Sequence, residues 1–311
     1  MATIDLHALP RFRDGLSYLY VEHAVIEREA NAIALYREDG AVSVPAAGLA
    51  VLVLGPGTRI THAAMVALAQ CGTSVVWAGE EHQRFYAWGT GKTRSSANVL
   101  RQAAAWADPR RRLEVVQRLY RFRFVEELPA GLTLQQIRGR EGARVRDAYA
   151  AASRTYGVPW SGRSYQRGQW HAADPVNRAI SAGAACLYGV CHSAIVAAGY
   201  SPAIGFIHEG KQLSFVYDLA DVYKVEVLVP AAFQTAAERP AKVESAVRAR
   251  LRERLREVKL LPRAVEDLAR LFDGLGLGPQ VDADELPEEF LRLWDPAGSV
   301  EAGKNYACDD A

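Results

Sequence analysis

Residues 85–100, FYAWGTGKTRSSANVL, contain the point at which the hydrophobic pattern of the chain changes. Before this stretch, short segments rich in β-branched, aromatic and aliphatic residues alternate with turn residues, a pattern typical of strands. After it, apolar residues recur at helical spacing over long segments. The change predicts an α+β protein, with a small β-rich N-terminal domain followed by a larger all-α C-terminal domain.

The length of 311 residues fits two domains better than one or three. We predict a β-rich N-terminal domain over 1–89, a linker over 90–96, a helical domain over 97–274 and an acidic, partly disordered tail over 275–311.

The predicted strands are 17–23, 32–37, 41–44, 49–54, 75–78 and 83–88, and a short helix covers 61–69. The predicted helices of the second domain are 95–126, 133–156, 175–199, 218–237 and 240–272. Asp174 before Pro175 is a typical helix start. Thr133 and Gln136 have the spacing of a capping box.

Several function classes are disfavoured by the sequence. Four scattered cysteines do not make a disulfide framework. The spacing of Cys186, Cys191 and His192 resembles that of zinc ligands, but these residues lie inside a helical pattern and no second Cys/His pair follows, which disfavours a zinc site. Lys92 ends a P-loop-like segment, but Tyr86 stands where the first P-loop glycine is needed. The uncharged stretch 180–198 is rich in Ala, Gly and Ser, which favours a buried helix over a membrane span. We see no secretory signal and expect a cytoplasmic protein.

The formal net charge of +1 conceals an uneven distribution of charge. Residues 1–90 carry 6 basic and 9 acidic side chains, residues 91–260 carry 27 and 15, and residues 261–311 carry 4 and 12. The helical domain is therefore strongly basic, and 31 of the 37 basic residues of the chain are arginine. Arginine binds phosphate in a bidentate manner and stacks on bases, so the middle of the chain is a candidate nucleic-acid surface.

Glu141 occupies a position that the helical pattern directs into the core. The inward-facing stripe of the predicted helix runs through Leu134, Ile137, position 141 and Val145. An ionised carboxylate on a buried face is costly unless it is paired or binds a cation. Either a structural salt bridge to a nearby arginine or a metal ligand accounts for it.

A second group of candidate ligands lies in 206–221. Asp218 and Asp221 are three residues apart at a predicted helix start, so their side chains share one face. His208 lies ten residues before Asp218, across a turn that contains Gly210. Alone, Asp218 would be interpreted as a helix cap. With Glu141 they form an oxygen-rich set with one imidazole, which suits Mg²⁺ or Mn²⁺ better than structural zinc.

Such a cation in a basic domain suggests phosphodiester chemistry, because a divalent metal polarises the phosphate and stabilises the charge of the transition state. These features together predict a metal-dependent nucleic-acid enzyme.

Seven segments of the chain carry a family resemblance. They are 55–59 (GPGTR), 61–64 (THAA), 138–146 (RGREGARVR), 156–158 (YGV), 186–190 (CLYGV), 198–208 (AGYSPAIGFIH) and 213–221 (LSFVYDLAD). With these segments the chain resembles the CRISPR-associated integrase family that inserts new spacers, in its type I-E form. The resemblance covers roughly residues 8–275 and is most specific at 213–221.

The resemblance implies a catalytic site in which Glu141, His208 and Asp221 are metal ligands and Asp218 is a further acidic catalytic residue. It implies that a protospacer 3′-hydroxyl attacks a phosphodiester at a repeat boundary, and that the same site cleaves branched or single-stranded DNA. It also implies a homodimer formed largely by the N-terminal domain, with two dimers flanking a dimer of the small second CRISPR adaptation protein.

The family's DNA contacts correspond to ten positions of this chain. They are Arg59, Arg84, Arg138, Arg163, Tyr165, Trp170, Tyr188, Lys211, Tyr217 and Arg248. His23 lies near the position at which the subtype places an aromatic wedge at a DNA fork, although the chain has no tyrosine in that register.

A non-catalytic DNA-binding scaffold, in which the acidic cluster only ties helices together, is the alternative function. A nucleotide-hydrolysing enzyme that uses Lys92 is a third hypothesis. In the tail, residues 286–294 form an amphipathic segment that we interpret as a docking element for the small partner protein.

Overall fold

The computed structural model describes residues 17–30, 32–78, 85–89, 96–129, 131–163 and 174–277, together with 292–293, 296 and 300–301. The predicted linker lies outside these residues apart from Ser96, and so does most of the tail.

The N-terminal part of the described chain consists of two four-stranded sheets, one α-helix and a short 3-10 helix, Ala46–Gly48. One sheet has the order β1-β5-β7-β8 and the other the order β4-β3-β2-β6. The elements are β1 Ser17–Val21, β2 Val25–Glu29, β3 Ala32–Arg37, β4 Gly40–Pro45, β5 Leu49–Leu54, β6 Arg59–Ile60, α1 His62–Gln70, β7 Ser74–Ala78 and β8 Phe85–Gly89. The first sheet is parallel except for the β7–β8 pair, and β3 pairs antiparallel with both β2 and β4.

Strand β5 connects the two halves of the molecule because both of its faces are buried. Leu52 and Leu54 point into a core shared with α1 and the second sheet. Val51 and Val53 point the other way, into the core formed by the C-terminal helices. This alternation is the period of two expected for a strand covered on both faces.

The C-terminal part is helical. Its elements are α2 Ala97–Ala107, α3 Pro109–Arg121, α4 Leu134–Tyr156, α5 Pro175–Ala197, α6 Ser214–Tyr223, a π-helical turn Lys224–Leu228, α7 Val229–Glu238, α8 Val243–Glu257 and α9 Leu260–Phe272. Two short strands, β9 Arg292–Leu293 and β10 Val300–Glu301, pair within the tail. The predicted order of a β-rich part followed by a helical part is confirmed.

Two long helices of the sequence-based prediction are interrupted. The segment 95–126 contains two helices because Asp108 adopts an extended conformation and caps α3, with Pro109 at its first position. The segment 240–272 breaks at Lys259, which has a left-handed φ of 47°. Strands β2 and β6 were missed, and β6 is too short to show a periodic pattern.

Helix α5 is the central element of the helical part. It is long and apolar enough to cross a membrane, but most of its length is buried among the other helices, as expected for the core helix of a globular domain. Asp174 caps it and Pro175 begins it, as predicted. The buried polar residues of this core helix are Asn177, His192 and Ser193.

Candidate active site

Glu141 lies on the inner face of α4, which begins with the predicted capping box of Thr133 and Gln136. The residue is 8% exposed. Arg144, one turn further along α4, donates to both carboxylate oxygens over 2.8 and 3.0 Å, and Arg123 donates to Glu141 Oε1 over 3.3 Å. The buried carboxylate is therefore paired with two guanidinium groups in this structure.

Asp218 is fully buried and is not a helix cap, because α6 begins four residues earlier at Ser214. Its carboxylate accepts hydrogen bonds from the backbone N–H groups of Phe206, Ile207 and His208, over 2.6, 3.0 and 2.9 Å. The carboxylate thus fixes the segment before α6 from within.

The same carboxylate holds the His208 ring, whose Nδ1 lies 2.7 Å from Asp218 Oδ1. This hydrogen bond raises the pKa of His208 above its ordinary value, against the opposing effect of partial burial. Gly205 permits the tight fold here, since a Cβ atom would collide with His208 O and with Ser214. Because Nδ1 is engaged, Nε2 is the ring nitrogen left for a ligand.

Asp221 follows one turn after Asp218 on α6 and is partly exposed. Its Oδ2 lies 3.9 Å from Arg123 Nη2, and its Oδ1 lies 3.5 Å from Lys224 Nζ, at the start of the π-helical turn. Arg123 therefore contacts both Glu141 and Asp221, which come from different helices.

The donor set of Glu141, His208 and Asp221 fits a hard divalent cation in its chemistry, with two carboxylates and an imidazole whose Nε2 is available. The described residues contain no formed cluster of three His, Cys, Asp or Glu side chains that could hold a metal. Instead, the positive charge between Glu141 and Asp221 is the Arg123 guanidinium. The carboxylates are thus within reach of one cation, although that cation is a side chain.

Two predicted DNA contacts lie next to this group. The rings of Tyr188 and Tyr217 meet edge to face with centroids 5.1 Å apart, and the Tyr217 ring lies 5.8 Å from the His208 ring. Burial, reinforced by the charge of Asp221, raises the pKa of the Tyr188 hydroxyl well above its ordinary value. The structure therefore brings His208, Tyr217 and Tyr188 together in one row.

The remaining predicted DNA contacts are spread over the chain. Arg59, Arg138, Arg163 and Lys211 are exposed. Arg163 donates weakly to Asn177 and Ser181 of α5, over 3.4 and 3.5 Å. Three further residues lie outside the described part of the chain: Arg84, Tyr165 and Trp170.

Arg248 differs from this group because it is buried, with 8% exposure, at a junction between the two halves. It borders a cavity of about 630 Å³ that is also lined by Tyr20, His23 and Arg252. His23 itself is exposed and has a left-handed φ of 50°. Arg248 and His23, for which roles at DNA were predicted, therefore lie at a second location, beside the N-terminal strands.

Sequence reasoning missed the roles of Arg123 and Lys224. In the sequence, Arg123 is one of many arginines of the basic segment 91–260, and helical spacing gives no information about contacts between helices. Lys224 lies three residues after Asp221, a spacing that places both on one helix face and was available as a signal.

A family model described as CRISPR associated protein Cas1 matches residues 17–125 and 121–256 of the chain. The chain belongs to the Cas1 family. A relative named CRISPR-associated endonuclease Cas1 2, from Thermus thermophilus, is 61% identical over 98% of this chain and 94% of its own length. CRISPR-associated endonuclease Cas1 from Escherichia coli is 41% identical over 85% of this chain and 87% of its own length.

A solved structure described as a TtCas1–DNA complex has a TM-score of 0.80 and 58% identity, over 92% of this chain and 99% of that one. These findings confirm the predicted Cas1 resemblance, the α+β fold and the membership of an enzyme family of nucleases. The type I-E form stays a prediction.

Proposed function

We propose that this Cas1 chain is a metal-dependent DNA integrase and endonuclease of CRISPR adaptation. The observation that carries the proposal is the convergence of Glu141 and Asp221 on one cationic group, beside a His208 ring that a buried Asp218 orients. Two of its relatives are named CRISPR-associated endonucleases, which supports the cleavage of phosphodiester bonds as the reaction class.

Glu141, His208 and Asp221 would hold the Mg²⁺ or Mn²⁺ ion, which when bound supplies polarisation of the scissile phosphodiester and charge stabilisation. Asp218 acts as a positioning residue, since its oxygens are occupied by three backbone N–H groups and the His208 ring. By engaging Nδ1, it leaves Nε2 as the ring nitrogen of His208 with which a metal would be bound.

The reaction is a transesterification. The oxygen of a protospacer 3′-hydroxyl forms a bond to phosphorus at a repeat boundary, and the bond from that phosphorus to the 3′-oxygen of the repeat strand breaks. The leaving oxygen gains the proton that the attacking hydroxyl loses, by way of solvent. When water replaces the hydroxyl, the same exchange is endonucleolytic cleavage.

DNA binding is supported by the basic middle of the chain and by the exposed Arg59, Arg138, Arg163 and Lys211. The Tyr188–Tyr217 pair offers aromatic surface beside His208, on which an unpaired base of the substrate would stack. The DNA-bound relative supports the same class of partner. Arg84, Tyr165, Trp170 and Arg248 complete the proposed contact set.

A homodimer through the N-terminal part is supported by β4, which lies at the edge of its sheet. Val42 on β4 is 58% exposed and Tyr36 on the adjacent β3 is 45% exposed, so apolar surface accompanies an unpaired strand edge. We propose that two such dimers flank a dimer of the small second CRISPR adaptation protein, which the tail segment 286–294 contacts.

The test is strand transfer of a short duplex with 3′ overhangs into a supercoiled CRISPR plasmid, with the small partner and Mg²⁺ or Mn²⁺ present. We expect E141Q and H208A to abolish transfer, whereas E253Q, which neutralises an exposed carboxylate on α8, leaves it unchanged. Activity that survives in E141Q and H208A would favour the non-catalytic scaffold instead.

A further inference from the structure

Arg123 occupies an unusual position for a buried arginine. Its side chain is 6% exposed and lies between Glu141 on α4 and Asp221 on α6, with nitrogen–oxygen distances of 3.3 and 3.9 Å. It lies just beyond the C-cap residue Phe122 of α3, so one side chain connects the end of α3 with α4 and α6.

The guanidinium is held only partly by these contacts. It stacks over the Tyr120 ring at 4.8 Å, and within the described chain its Nε and Nη2 are buried without a hydrogen-bond partner. The group is therefore retained by charge and stacking more than by hydrogen bonds, an arrangement that can be displaced.

Carboxylates near one another repel, and burial also removes their hydration, so a nearby cation stabilises the charged pair. Among the residues that the structure describes, Arg123 is the cation that contacts both, while Arg144 contacts Glu141 and Lys224 contacts Asp221. Arg123 therefore supplies the charge that a divalent ion would supply.

Resting on the metal-dependent function proposed above, we infer that Arg123 is a built-in competitor of the metal ion. It holds Glu141 and Asp221 together when no metal is bound, and a divalent cation must displace it from them. The guanidinium and the metal exclude each other because both are positive and both need the same oxygens. Arg123 thus stabilises the metal-free protein and weakens metal binding, as a positioning residue of the site.

The test compares R123Q with R121Q in the full-length chain, by Mn²⁺ titration calorimetry and by melting after chelation. Arg121 is exposed and lies two residues earlier, so R121Q removes the same charge without removing the bridge. We expect R123Q to bind Mn²⁺ at least about tenfold more tightly than wild type and to melt at a lower temperature without metal. R121Q should match wild type in both measurements.

A third variant tests the cause of the lower melting temperature. In R123Q/E141Q only one of the two carboxylates keeps its charge, so the metal-free melting temperature should recover relative to R123Q. If R123Q does not fold without metal, R123K carries the test, because its single ammonium keeps the charge but spans the two carboxylates poorly. It should show a smaller gain in Mn²⁺ affinity.

Mn²⁺ binding by folded R123Q that is equal to or weaker than that of wild type overturns the inference, and so does an unchanged affinity in R123K where R123Q is unfolded. If wild type binds no Mn²⁺, the proposed metal site and the inference about Arg123 both fail. Binding in wild type without a gain in the variants overturns the role of Arg123 alone.

Discussion

Asp218 and Asp221 are one helical turn apart, yet the two carboxylates have different surroundings. Asp218 is fully buried and accepts three backbone N–H bonds, whereas Asp221 is partly exposed and its contacts are 3.5 Å or longer. The first carboxylate fixes the local fold, whereas the second is held only by the longer contacts to Arg123 and Lys224.

Substitution of these two residues should separate stability from activity. D218N places an amide where three N–H donors need an acceptor, so we expect a loss of about 2 kcal/mol or more in unfolding free energy, together with loss of cleavage. D221N should abolish cleavage and change stability by less than about 1 kcal/mol. Urea denaturation and a branched-DNA cleavage assay measure the two effects. Equal stability losses would contradict the different roles.

His192 lies inside α5, where it is 2% exposed. Burial lowers the pKa of its imidazole from 6.5 to about 4. The unfolded chain therefore takes up a proton near pH 6.5 while the folded chain does not, so stability is full above that pH and falls as the pH drops towards 4.

The loss from this one group reaches about 3 kcal/mol at low pH. H192Q should remove that part of the decline between pH 6.5 and 4, while H62Q, at an exposed histidine of α1, should keep the wild-type profile. Unfolding by urea at several pH values gives the comparison. A wild-type slope in H192Q would show that His192 is not the group responsible.

At the scale of elements, α5 packs closely on its neighbours through Gly183. A Cβ atom at this position would collide with Leu228 Cδ1 and lie 3.5 Å from Leu251 Cδ2, and both leucines are fully buried. The glycine therefore sets the distance between α5, the π-helical turn and α8.

We expect G183A to lower the unfolding free energy by about 1–3 kcal/mol, because the buried Leu228 side chain would have to shift within the core to admit the added methyl group. Gly189 is the matched control on the same helix, since nothing lies within 4 Å of a Cβ atom there. G189A should be neutral or raise stability by up to about 1 kcal/mol through its better helix propensity. Thermal and urea unfolding of both variants test this, and a stable G183A would show that α5 can shift.

At the scale of the whole molecule, the segment 91–260 combines its excess of basic side chains with the candidate active site. Phosphate contacts release counterions, so we expect DNA affinity to fall steeply between 50 and 200 mM salt, roughly as a power law. R138Q should reduce the slope by about one, whereas R28Q, in β2, should not change it. Fluorescence anisotropy with labelled duplex measures the slopes. A flat salt dependence would exclude phosphate contacts as the main source of affinity.

The sequence by itself determined the fold class, the position of Glu141 on a buried helix face, the capped starts of α4 and α5 and the segment that contains His208, Asp218 and Asp221. These features depend on local periodicity and on residues close together in the chain, so they can be predicted from the sequence alone.

Only the tertiary structure decided which charges meet. The Arg123 bridge joins the end of α3 to two other helices, and Asp218 became a buried anchor because the chain folds back onto it. The pairing of a guanidinium with carboxylates from different helices depends on how those helices pack, which is set by the whole core and has no period in the sequence. For that reason the residue types of the candidate site were predictable, but the arginine side chain that lies between Glu141 and Asp221 was not.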